Sequence, residues 1–65
     1  MNVVLNGEER WTTSILISSL LAELDLVNKK IAVEHNKKIV PKDAYQHTYL
    51  SDGDRIEIVH FIGGG

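Results

Sequence analysis

The chain has 65 residues, enough for one small domain, and its 43% apolar and 25% charged residues are ordinary globular usage, which argues against wholesale disorder. It contains no cysteine, so a disulfide scaffold, a thiol nucleophile and a cysteine metal site are excluded, and a reducing cytoplasm fits. A net charge of −2 disfavours nucleic acid as partner, no apolar run is long enough to cross a membrane, and Met1-Asn2-Val3 does not open like a secretory signal.

In chain order, Met1–Leu5 reads as a strand and Asn6-Gly7 as a two-residue hairpin turn in which both residues take positive φ. Glu8–Thr12 is the returning strand, with Trp11 expected in the core. Ile17, Leu20, Leu21 and Leu24 form one apolar stripe at helical spacing, and Thr13 or Ser14 is expected to cap the helix start. Asp25–Asn28 is its exit, without a glycine to mark the stop. Lys30–His35 alternates as a strand, Asn36-Lys37 turns, and Lys38–Val40 is a short strand. Pro41 opens a short helical turn through Tyr45, Asp52-Gly53-Asp54 turns again, and Arg55–Ile62 is the long last strand.

A hairpin, a crossover helix and a returning strand predict an α+β fold with a mixed four- to five-stranded sheet and the helix packed on one face. With the first and last strands adjacent and parallel, this is a ubiquitin-like β-grasp, although other small α+β arrangements share the pattern. The domain spans residues 1–62 and residues 63–65 form a flexible glycine tail.

Strand alternation predicts a surface. If Val3, Leu5, Ile56 and Ile58 face the helix, then Val4, Val59 and Phe61 face out, with Ala32 beside them. Val4, Val59, Phe61 and Ile62 are the expected partner-docking residues, since an exposed apolar patch at the root of the tail marks an interface.

Gly63-Gly64-Gly65 follows the last strand with no polar linker. Without Cβ atoms the segment is thin enough for a narrow channel, and its α-carboxylate is anionic at neutral pH. A carboxylate is a poor acyl donor until a partner converts it to an acyl adenylate with ATP and magnesium. A sulfur or nitrogen nucleophile can then attack, so the chain reads as a substrate on a handle, with Gly65 the modified residue and Gly63 and Gly64 its approach.

Other chemistry is thin. His35, His47 and His60 lack metal-ligand spacing, so no metal is expected, and His60 is placed partly buried on the helix side. Asp52 and Asp54 are expected to solvate their turn. Lys29-Lys30 and Lys37-Lys38 read as solvated turn residues, and Ser14, Ser18 and Ser19 lack a paired base.

Asn6-Gly7-Glu8, Leu20-Leu21-Ala22-Glu23-Leu24, Ile31-Ala32-Val33-Glu34-His35-Asn36, Ile39-Val40-Pro41 and Asp52-Gly53-Asp54-Arg55-Ile56-Glu57-Ile58-Val59, in this order before the glycines, resemble the thiamine-pathway sulfur carriers of the ThiS family. The resemblance covers the whole chain and departs only at Thr12–Ser14, which lacks the glycine often found before the helix. It implies a β-grasp protein that is no enzyme itself and binds no cofactor. Its Gly65 carboxylate is adenylated by an E1-like enzyme that uses ATP and magnesium. Sulfur from a donor such as a cysteine desulfurase makes it a thiocarboxylate, which thiazole synthase consumes. Competing readings are a ubiquitin-like modifier joined to lysines through Gly65, the small subunit of molybdopterin synthase, and a passive interaction domain.

Overall fold

The computed structural model describes residues 1–61. Its elements are β1 (Asn2–Leu5), β2 (Glu8–Trp11), α1 (Ile17–Glu23), β3 (Ile31–His35), β4 (Lys38–Val40), a 3₁₀ turn at Lys42–Ala44 and β5 (Arg55–His60). The five strands form one sheet in the order β2-β1-β5-β3-β4. β1 and β5 are parallel and every other neighbouring pair is antiparallel. The expected mixed sheet is therefore present with five strands. β2 stops one residue before Thr12, β3 starts one residue after Lys30, and β5 ends at His60. The expected extension of β5 to Ile62 lies outside the described residues.

Both hairpin turns follow from local chemistry. Asn6 and Gly7 have φ of 48° and 84°, and Asn36 and Lys37 have φ of 51° and 72°, so each pair closes a two-residue loop whose twist matches its strands. The pairs Leu5↔Glu8 and His35↔Lys38 set the registers that follow.

One register overturns an expectation. Trp11 pairs with Asn2 and is 67% exposed, so it is not in the core. The Asn6-Gly7 turn places Glu8 opposite Leu5 and Arg10 opposite Val3, both on the helix side, and alternation sends Trp11 to the open face.

The helix starts differently from the expected hydroxyl cap. Leu16 is the N-cap and no side chain bonds there. Instead the loop before β5 supplies carbonyls: Ile17 N–H donates to Thr48 O (3.0 Å) and Ser18 N–H to Tyr45 O (3.0 Å). The free N–H groups of the first turn thus find tertiary partners. The helix end supplies the missing stop through Asp25, whose φ is 60°. Asp25 N–H reaches Ala22 O (3.1 Å) and Leu26 N–H reaches Leu21 O (2.8 Å), a Schellman closure with aspartate where glycine is usual.

Ile17, Leu20 and Leu21 of the predicted stripe are buried against Val3, Val33, Val40, Leu50, Ile56 and Ile58, and Leu24 packs at the margin. Val40, Val33 and Ile58 lie in one cross-strand row beneath the helix. Among the described residues, no helix is long and apolar enough to cross a membrane.

Candidate functional site

Two ends of β5 do different work. Its start is held by a net of side chains. Asp54 accepts from Ser51 N–H (2.8 Å), His35 Nε2–H (2.6 Å) and Asn36 Nδ2–H (3.2 Å). Asn36 Oδ1 accepts from Arg55 N–H (2.8 Å), and Asn6 Oδ1 from Ile58 N–H (2.7 Å). Asp52 Oδ1 accepts from Asn2 N–H (2.8 Å). Asp52 and Asp54 therefore do more than solvate a turn, because they tie β5 to β1 and β3. Burial pushes the Asp54 carboxyl up, but the bonds from His35, Ser51 and Asn36, with the His35 charge, outweigh it and hold it below its ordinary value.

At the other end, His60, opposite Ile31 on the helix side, is exposed and not partly buried as expected. Phe61 N–H still donates to Lys30 O (2.9 Å), which continues the pairing beside β3 by one bond. Of the predicted site residues, Ile62, expected for docking, and Gly63, Gly64 and Gly65, expected to carry the chemistry, lie outside the described residues.

Of the residues expected to dock a partner, Val59 and Phe61 lie exposed, and Val4 is placed apart from them. Val59 is 60% and Phe61 58% exposed, and Ala32 pairs with Val59. Val4 shares this face but pairs with Arg55, four residues before Val59 and so about 13 Å away along the strand. It does not join the Val59–Phe61 patch. Ile39 of β4, 69% exposed and opposite Glu34, is a further apolar side chain on the open face that the sequence reading missed. Alternation across Lys38–Val40, with Val40 inward, was the signal that could have found it. Glu34 itself pairs directly with Glu57.

The remaining candidates are structural. Glu23 accepts from Thr12 Oγ1 (2.6 Å), Ser14 Oγ (2.9 Å) and the Arg10 guanidinium (2.8 and 3.0 Å), and these bonds hold its carboxyl below the ordinary value, Thr12 contributing most. Ser14 is thereby engaged, and His47 lies exposed in a loop. Among the described residues no three His, Asp or Glu side chains cluster to hold a metal ion. A groove of about 220 Å³ between the helix end and the 3₁₀ turn is lined by Leu21, Leu26 and Ile31 together with Ser18, Lys42 and Gln46.

A model of the ThiS family matches residues 3–65. The sulfur carrier protein ThiS of Bacillus subtilis is 48% identical over 63 residues, covering 94% of this chain and 96% of that protein. A thiazole synthase of Paramagnetospirillum magneticum is 50% identical over 66 residues, which cover all of this chain but 20% of that protein. The chain thus spans about a fifth of that synthase. The crystal structure of a thiamine biosynthesis protein (ThiS) from Geobacter metallireducens superposes with a TM-score of 0.86 at 29% identity, covering both chains in full.

Proposed function

The chain belongs to the ThiS family, and we propose that it is a sulfur carrier of thiamine biosynthesis, acting in the cytoplasm where ATP is available. The observation that carries the proposal is the match to the family over residues 3–65, which includes the Gly63-Gly64-Gly65 end. The thiazole synthases that contain a segment similar to this whole chain support thiazole synthase as the acceptor.

In this reading the Gly65 carboxylate attacks the α-phosphorus of ATP in the site of an E1-like partner, which also holds the magnesium. Pyrophosphate leaves and an acyl adenylate forms. Sulfide adds to the acyl carbon and expels AMP; where the sulfur arrives as the persulfide of a donor such as a cysteine desulfurase, the acyl disulfide first formed is cleaved by a reducing thiol, which leaves as the disulfide. The product is a thiocarboxylate. Thiazole synthase takes its sulfur, and hydrolysis returns the carboxylate. The carrier contributes a handle and an unbranched tail rather than a catalytic group, so it is a co-substrate and not an enzyme.

The test is the mass of the peptide Ile56–Gly65, released by cleavage after Arg55. After incubation with the adenylating enzyme, ATP and a sulfur donor, one oxygen is replaced by sulfur at Gly65. Deleting Gly65 leaves the unfolding midpoint unchanged, because a terminal residue adds few buried contacts, and abolishes loading. A deletion variant that still supports thiamine synthesis overturns the proposal, as does capture of Gly65 on lysines in place of sulfur.

A further inference from the structure

Asn6-Gly7 is the one Asn-Gly pair in the chain; Asn2, Asn28 and Asn36 are followed by valine or lysine. An asparagine before glycine is chemically vulnerable, because no Cβ hinders the next backbone nitrogen as it approaches the side-chain carbonyl carbon. Both residues are exposed, and a Cβ at Gly7 would meet nothing within 4 Å, so the pair is open to water. The fold nevertheless holds it away from this reaction. Asn6 and Gly7 sit at φ of 48° and 84°, the paired left-handed conformation of the hairpin turn. Asn6 N–H donates to Ile56 O (2.9 Å), and Asn6 Oδ1 accepts from Ile58 N–H (2.7 Å). β1 pairs with β5 at Val4↔Arg55 and Leu5↔Ile56, so the carboxamide extends that seam by one bond after the strand has ended. To meet the Gly7 nitrogen, the carboxamide carbon swings back toward its own backbone, and that swing breaks the bond to Ile58.

We propose that Asn6 is a self-modification site of this chain, latched by Ile58 N–H in the folded hairpin and released when the turn parts from β5. In the released turn the Gly7 nitrogen loses its proton to water and attacks Asn6 Cγ. The N–Cγ bond forms, the Cγ–Nδ2 bond breaks, and Nδ2 takes a proton and leaves as ammonia, so that a five-membered cyclic imide remains. Water then opens the imide. Attack at the former side-chain carbonyl gives aspartate. Attack at the main-chain carbonyl gives isoaspartate, whose main chain runs through Cβ and Cγ to Gly7. Water is the one co-reactant, and nothing is oxidised or reduced. The two products differ in consequence. Aspartate keeps an oxygen that accepts from Ile58 N–H. Isoaspartate inserts one extra main-chain atom into a two-residue loop, so the Leu5↔Glu8 register no longer closes as it did. The site stands whether or not the chain carries sulfur.

The experiment ages the full chain in warm neutral buffer, folded and unfolded in urea. The peptide Met1–Arg10, released by cleavage after Arg10, is then fragmented to locate an acid in place of the amide at residue 6. An isoaspartyl methyltransferase with a labelled methyl donor marks the isoaspartate share in the same peptide. Protection of Ile58 N–H is measured in parallel by hydrogen exchange. Conversion at residue 6 is expected to be about tenfold or more slower in the folded chain than in urea. The slowing is expected to match the Ile58 protection factor within about threefold, since one opening frees both groups. Gly7→Ala, compared in urea where folding no longer matters, is expected to slow conversion about tenfold or more. The isolated isoaspartate form is expected to melt below the variant Asn6→Asp, which has the same mass and charge and differs from it only in the main chain.

Equal rates in the folded and unfolded chain overturn the latch, as does strong protection of Ile58 N–H without a matching slowing at Asn6. Conversion in urea at Asn2, Asn28 or Asn36 ahead of Asn6, or an unchanged rate in Gly7→Ala, overturns the site itself. Equal melting of the isoaspartate form and Asn6→Asp overturns the break in the hairpin. None of these outcomes bears on sulfur loading at Gly65, which is read on a different peptide.

Discussion

Glu23 shows how one side chain can close a small fold. It sits at the end of α1 and accepts from Thr12, Ser14 and Arg10, all in or just after β2. Its carboxyl and that of Asp54 are both held below their ordinary values. A depressed carboxyl stabilises the fold above its unfolded value, about 4, and that stability is lost as pH falls through the lower folded value. The urea midpoint is thus expected to be flat near neutrality and to fall below about pH 4. Thr12→Val removes the leading bond to Glu23 while keeping the shape of a buried side chain. It should cost about 1–2 kcal/mol at neutral pH, with the difference from wild type narrowing in acid. Urea titrations of the two proteins across pH check both statements. None of this was legible in the sequence, where Thr12, Ser14 and Glu23 carry no spacing signal and meet only once β2 turns Arg10 and Thr12 toward the helix.

Among the elements, turns were read most reliably, because their chemistry is local. Asn6-Gly7, Asn36-Lys37 and Asp52-Gly53-Asp54 all turn where expected, with positive φ at both residues of the first two and at Gly53. Gly53 has a φ of 85° and open space around its missing Cβ. Gly53→Ala therefore meets no neighbour and isolates the backbone term. It should cost roughly 1 kcal/mol, or about 4–8 °C in Tm for a domain of this size. Thermal unfolding measures it, and an unchanged Tm would mean the loop relaxes to negative φ at no cost. Helix ends were read less well. A hydroxyl before the first apolar position is the usual start signal, but here the orphan N–H groups of Ile17 and Ser18 find Thr48 and Tyr45 carbonyls. Those loop carbonyls come from some thirty residues further along, which no local motif encodes.

For the whole molecule, stability rests on one layer of helix against sheet. Leu20 is fully buried at the centre of that layer. Leu20→Ala should cost about 2–5 kcal/mol, which approaches the entire stability of a small domain. Such a variant is expected to lose sulfur loading through unfolding, and a ligand-independent loss of far-UV circular dichroism would separate this from a docking defect. The sequence by itself determined the strand and helix periods, the turns, the face to which most strand residues point and the glycine end, since each follows from neighbouring residues. The tertiary structure alone decided the registers: Glu34 beside Glu57, Ile39 opposite Glu34, Val4 some four residues from Val59, and Trp11 in solvent. Alternation has a period of two and fixes a side chain's face, whereas its neighbours across the sheet depend on how far each strand slides. That is settled only when the long-range backbone bonds and the core close together.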